Sequence, residues 1–329
     1  MAQAAAVLVE KQKLVYNLFM DKKMLSLIVP AYNEQEVTAA SFERMNAQMA
    51  SLGYAYEIIY VNDGSRDNTM AELRKIASTH ENVKVISFSR NFGHQLAVTA
   101  GMDAAKGDAL IIIDIDLQDP PEIIADMVTA WENGAEIAYG KRKKREGETV
   151  FKKLTAFLYY RLLNSMSAYP IPLDTGDFRL IDRKVANVFL AMREQRRFLR
   201  GMSAWMGFKA VPVEYVRAER AAGSTKYSLK KMLKLAFDGI FGFSDKPLVL
   251  PAYIGAAVCA LSTLGLAALI IVSATVGCAP WLWAVAGLAL LNGVTLIAMG
   301  ALGTYLGRIY DETRKRPLYI VSEKLNCEE

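Results

Sequence analysis

The chain has 329 residues, of which 53% are hydrophobic and 22% charged, with a formal net charge of +5 and a mean hydropathy of +0.16. It is long enough for one large domain but too apolar for an ordinary soluble one, and no nucleic-acid partner is expected. Cys259, Cys278 and Cys327 lie far apart without metal-ligand spacing and read as packing residues.

Residues 1–23 carry charge early and only a short apolar run, so they are expected to form a loosely held extension rather than a signal peptide. From there to about residue 114 the pattern alternates. "MLSLIVPAYN" (24–33), "YEIIYVND" (56–63), "VKVISFS" (83–89) and "DALIIID" (108–114) are short, apolar and β-branched, as strands buried on both faces are. Amphipathic stretches at 36–51, 66–79 and 94–105 separate them. This order predicts an α/β domain with a mostly parallel, Rossmann-like sheet and helices on both faces. Ligands on such sheets bind beyond the carboxyl ends of the strands. Four polar clusters fall there: "PAYNE", "NDGSRDN", "SRNFGHQ" and "DIDLQD". Together they predict a pocket for a polar ligand, with His80 and His94 forming no ligand cluster of their own.

The fourth cluster puts acids at the mouth of a buried strand, where repulsion and desolvation oppose them. In an extended segment Asp114, Asp116 and Gln118 would share one face, an oxygen set suited to Mg²⁺ or Mn²⁺. Asp119, in "DPPE", reads instead as a helix N-cap.

Further along, "FKKLTAFLYYRLLNSM" (151–166) and "KYSLKKMLKLAFDGIFGF" (226–243) mix aromatic, aliphatic and lysine residues at helical spacing, as helices in a membrane interface plane do. Residues 247–310 are almost wholly apolar, broken by "GCAP", and each half exceeds the ~20 residues that cross a hydrocarbon core. Two spanning helices are expected. Lys230, Lys231, Lys234 and Lys246 precede the first, and Arg308, Arg314, Lys315 and Arg316 follow the second. Both termini and the polar domain therefore face the cytoplasm, giving a multi-pass protein of the inner (cytoplasmic) membrane. The expected domains are 1–23, an extension; 24–225, catalytic; 226–246, an amphipathic interface helix; 247–310, two spans; and 311–329, a cytoplasmic tail. Small-residue faces such as "GALGTYLG" (300–307) leave a homo-oligomer open.

"IVPAYNE", "VNDGSRDNT", "RNFGHQLAVTAG", "DIDLQDPPE", "GDFRL" and "AGSTKYS", followed by two spans, resemble family 2 glycosyltransferases of the GT-A fold. Within that family the chain is similar to the polyprenyl-phosphate glycosyltransferases, which include dolichol-phosphate mannose synthase, and more closely to bactoprenol glucosyltransferases of the GtrB type. The resemblance covers residues 24–322. It implies transfer of a sugar from a nucleotide donor, UDP-glucose first and GDP-mannose or UDP-amino-arabinose as alternatives, to undecaprenyl phosphate. Pro30, Tyr32, Asn33, Glu34, Asp63, Asn91, Gly93, Gln95 and Asp114 would hold the nucleotide sugar, and Asp114, Asp116 and Gln118 the metal that assists the departing diphosphate. The acceptor, a phosphate monoester with its second pKa near ~6, is already an oxyanion, so the site needs cations more than a base. Arg142, Lys153, Arg220, Ser224 and Lys226 are implied for that role. Asp116, Arg142 and Arg220 are implied as catalytic, and Asp177 as the group that orients the acceptor or takes a proton. Inversion would give a β-linked lipid from an α-linked donor. Of the acid pair in "PLDTGDFRL", Asp174 reads equally as a turn cap, and the bland role for Asp177 is a pair with Arg179. Arg200 and Trp205 resemble a Q-x-x-R-W region whose Gln is out of place. From other classes, a flippase partner would carry intramembrane charge, which is missing here, and a non-catalytic nucleotide-binding adaptor would not need Asp116 beside Gln118.

Overall fold

The structure, a computed structural model, describes residues 23–142, 175–195, 197–216 and 280–327, with the isolated positions 257 and 264. The predicted alternation is present: β1 (Met24–Ala31), α1 (Thr38–Ser51), β2 (Ala55–Asn62), α2 (Thr69–Thr79), β3 (Val83–Phe88), α3 (His94–Ala104) and β4 (Ala109–Ile112). A 3₁₀ turn (Pro121–Ile123) leads into α4 (Ile124–Glu132), followed by β5 (Ile137–Arg142), β6 (Thr175–Asp182), α5 (Arg183–Ala191), α6 (Leu199–Trp205) and β7 (Ala210–Tyr215). A long helix, α7 (Pro280–Thr313), and a final strand, β8 (Val321–Leu325), complete the described chain.

Successive side chains of a strand point to opposite faces, and β1 feeds two apolar layers. Leu25, Leu27 and Val29 pack with Phe42, Met45 and Met49 of α1, Leu73 of α2 and Trp131 of α4. Ile28 joins Val98 and Met102 of α3, Phe189 of α5 and Met202 of α6. Helix α3 lies so close to β1 that a Cβ on Gly101 would sit 2.3 Å from Ile28 Cγ2.

The eight strands run in the order β7-β5-β6-β4-β1-β2-β3-β8. The sheet is more mixed than expected. β1–β2, β1–β4, β2–β3 and β5–β7 pair in parallel, whereas β4–β6, β5–β6 and β3–β8 are antiparallel. The change of direction comes from β6, which enters between β4 and β5 and so brings Asp177 to the end of the sheet where β4 finishes.

The segment expected to be a simple tail is a strand that closes the β3 edge. Arg74 forks onto Glu323 at 3.0 and 2.6 Å, and Tyr319 stacks on Phe88 with ring centroids 4.9 Å apart. Asn326 Nδ2 donates to the carbonyls of Ala77 and Val83.

Helix α7 covers most of the second expected span and carries no Asp, Glu, Lys or Arg before Arg308. Counting only described residues, no helix is long and apolar enough to cross a membrane. The first expected span, apart from positions 257 and 264, and both interface helices lie outside the described residues, as do residues 1–22.

Candidate functional site

The loops leaving β1, β2 and β3 are tied into one rim. Asn33, in the left-handed region at φ 54°, accepts from Arg66 N at 2.8 Å, while its own N–H donates to Ser65 Oγ at 3.0 Å. Glu34 N donates to Thr69 Oγ1 at 2.8 Å, so the segment carrying Tyr32, Asn33 and Glu34 is fastened along the loop after β2. All three side chains stay partly exposed, whereas Pro30 is buried in β1 opposite Val61.

Asp63, only 3% exposed, organises the loop after β3. Its carboxylate accepts from Phe92 N at 2.6 Å, Gly93 N at 2.9 Å and Asn91 Nδ2 at 2.8 Å. Burial raises its pKa, while the Phe92 and Gly93 backbone amides oppose the shift. A nucleotide-sugar contact, the role expected of Asp63, would compete with these bonds. Gly64 makes the approach possible: it sits at φ 63°, and a Cβ there would lie 2.3 Å from the Arg90 carbonyl carbon.

The β4 rim departs from the sequence reading. The strand stops at Ile112, and residues 115–117 turn, with Leu117 at φ 56°, so Asp114, Asp116 and Gln118 are not an alternating face of one strand. A buried non-glycine residue in the left-handed region costs about 1–2 kcal/mol and is held there by its surroundings. Asp116 is buried and its Oδ1 accepts from Gln118 N at 3.1 Å, closing the turn. Asp119, expected as an N-cap, lies one residue before the position from which the following turn starts. The 3₁₀ turn starts from Pro120 without a side-chain cap, and Asp119 accepts from the Tyr215 hydroxyl inside the core.

Opposite this turn stands Asp177, near the start of β6. Arg200 Nε of α6 lies 2.9 Å from its Oδ1, and the first turn of α3 supplies His94 Nε2 at 3.3 Å and Gln95 Nε2 at 3.2 Å to Oδ2. Gln95 Oε1 also accepts from Leu199 N at 2.9 Å, joining the starts of α3 and α6. Arg179, 3% exposed, donates to Ser203 Oγ and the Gly176 carbonyl, and its Nη2 is 3.9 Å from Asp177 Oδ1. The expected Asp177–Arg179 pair is thus present but is the longer of the two arginine contacts.

Electrostatics follow from this crowding. Burial would raise the Asp177 pKa, but Arg200, His94 and Arg179 outweigh it and hold the carboxyl well below its ordinary range. Burial would lower the pKa of His94, but Asp114, at 3.7 Å, and Asp177 push it up to about 9. Burial pushes Asp114 up to about 6, with His94 opposing and Asp119, Asp116 and Asp177 reinforcing. Asp114 is therefore a carboxylate short of positive charge. A divalent cation would relieve that shortage, and hard oxygen donors from Asp114, Asp116 and Gln118 suit one. Among the described residues no three His, Cys, Asp or Glu are already grouped to hold a metal.

Of the residues implied for the acceptor, Arg142 ends β5, and Lys153, Arg220, Ser224 and Lys226 lie outside the described residues, as does Asp174. Trp205 is half-exposed at the end of α6. From the sequence His94 had no role, and Arg179 only that of a partner for Asp177. The signal for His94 was its place in the rim cluster "SRNFGHQ", directly after Gly93 and at a helix start.

The family profile described as Glycosyl transferase family 2 matches residues 26–189. The uncharacterized glycosyltransferase YkcC of Bacillus subtilis is 47% identical over 92% of this chain and 94% of its own. The prophage bactoprenol glucosyl transferase homolog of Escherichia coli is 39% identical over 90% of this chain and 98% of its own. The bactoprenol glucosyl transferase of Shigella phage SfV is 38% identical over 91% and 98%.

Proposed function

This chain belongs to glycosyl transferase family 2, and we propose that it moves glucose from UDP-glucose to undecaprenyl phosphate at the cytoplasmic leaflet of the inner membrane. The observation that carries this reading is the rim itself. Four strand-end loops meet the His94–Asp177–Arg200 cluster in a chain whose relatives named bactoprenol glucosyl transferase align over nearly its whole length.

The loop of Tyr32, Asn33 and Glu34, with Asn91 and Gly93, would bind the nucleotide. Asp114, Asp116 and Gln118 would hold Mg²⁺ or Mn²⁺, which when bound neutralises the diphosphate leaving group. The lipid phosphate oxygen attacks the anomeric carbon as the bond to the diphosphate breaks, and the anomeric centre inverts. Because that oxygen is already anionic near neutrality, Asp177 does not have to remove a proton. Held by Arg200, His94 and Gln95, it would keep Arg200 oriented toward the acceptor. Arg142, Lys153, Arg220, Ser224 and Lys226 would complete the phosphate cradle. Helix α7 and the apolar segment before it would keep the site at the bilayer surface, where the acceptor resides.

Incubating the purified full-length protein with undecaprenyl phosphate and a panel of radiolabelled nucleotide sugars tests the proposal. Label should pass from UDP-glucose into lipid and stop in excess EDTA. Preferential transfer from GDP-mannose or UDP-amino-arabinose would overturn the donor assignment, and undiminished turnover in EDTA the metal.

A further inference from the structure

We propose that His94 is a positioning residue, whose imidazole, set between Asp114 on the β4 rim and Asp177 on β6, fixes the spacing of the donor and acceptor sides of the pocket. The inference rests on the transferase reading above.

One ring nitrogen faces both acids: Nε2 is 3.3 Å from Asp177 Oδ2 and 3.7 Å from Asp114 Oδ1. These carboxylates come from positions 114 and 177, on segments of opposite direction, and the imidazole reaches both. Its own position is fixed from behind. The loop before it is pinned by Asp63 through Phe92 N and Gly93 N, and Gly93, at φ 108°, turns the chain so that α3 begins at His94. The neighbouring Gln95 donates to the same Asp177 oxygen and accepts from Leu199 N, so the first turn of α3 is braced against α6 as well. Asp177 already has Arg200 at 2.9 Å for charge balance. What His94 adds is a link across to Asp114. A link of this kind acts through geometry, and displacement of reacting groups by about 1 Å costs on the order of 10²-fold in rate.

The test measures kcat and both KM values for the full-length wild type and for His94→Ala, His94→Gln, His94→Asn, Asp177→Asn and the His94→Ala/Asp177→Asn double variant, with a melting temperature for each. His94→Ala should lower kcat by about 30- to 100-fold while both KM values stay within about threefold. His94→Gln, which returns an N–H donor of comparable reach, should regain about tenfold, and the shorter His94→Asn less. In the Asp177→Asn background, His94→Ala should cost less than about threefold more, because the two residues act as a unit. Unchanged kcat in His94→Ala, loss confined to KM, no advantage of Gln over Asn, or full additivity with Asp177→Asn would each overturn the inference. Should the Ala variant not fold, the Gln and Asn comparison decides alone. A wild type inactive with every donor overturns the transferase reading itself, whereas an active wild type matched by His94→Ala overturns this inference only.

Discussion

Arg200 and Asp177 are joined by two contacts, Nε to Oδ1 at 2.9 Å and Nη2 to Oδ2 at 3.4 Å, although one sits on a helix and the other on a strand. The acid is also the anion that Arg179 and His94 share. Removing it leaves three cationic groups facing one another. Asp177→Ala should therefore lower the unfolding free energy by about 3 kcal/mol, and Asp177→Asn, which keeps a carbonyl acceptor, by roughly half as much. Thermal melts of the two variants check the order; equal stability of all three proteins would refute it.

The pH response of the metal-free protein follows from the same cluster. His94 has a folded pKa raised to about 9 from an ordinary 6.5, so its stabilisation is complete below the unfolded value and is lost as pH rises through 9. Asp114 is raised to about 6 from 3.8, and its contribution is likewise lost as pH rises, through 6. In EDTA, the melting-temperature advantage of wild type over His94→Ala should shrink as pH rises from about 7, where Asp114 is ionised and His94 still protonated, toward pH 10. An advantage that grows with pH contradicts the assignment.

Asp116 separates charge from fold. Because Oδ1 accepts from Gln118 N, an interaction an amide oxygen can also make, Asp116→Asn can keep the turn while removing the negative charge. Its melting temperature should stay close to wild type, while the Mg²⁺ or Mn²⁺ concentration for half-maximal rate rises by at least about tenfold. A metal titration of turnover measures this.

Tyr319 packs against the end of β3, where the neighbouring Ile320 carbonyl accepts from Ser89 N at 3.0 Å. Its ring stacks on Phe88, and its hydroxyl donates at 2.7 Å to Asp103, which Arg193 also grips. Tyr319→Ala should destabilise by about 1–3 kcal/mol, and Tyr319→Phe by about 1 kcal/mol, readable as successive drops in melting temperature.

The sequence was most readable where local pattern and burial agree. β1 to β4 are apolar runs covered on both faces, and their polar ends declare the rim directly. β6 was hidden because Asp177 and Arg179 interrupt its apolar run, and Asp177 is satisfied by Gln95 and Arg200, residues distant in the chain. β8, "VSEKL", reads as a charged tail until its partner β3 is known. Asp114, Asp116 and Gln118 do not alternate along one face because the strand ends at Ile112, and the left-handed Leu117 that turns the chain has no sequence signature comparable to glycine. His94 looked isolated for the same reason: the groups that give it meaning lie at positions 114 and 177.

The pairing of β3 with β8 joins residues 85–88 to residues 321–325, the latter after α7. During synthesis, therefore, the β3 edge stays without its neighbour until the ribosome has passed residue 325, beyond the 34-residue helix. A nascent chain stalled after Arg200 but before β8 would hold every rim residue and yet present an open strand to whatever lies nearby.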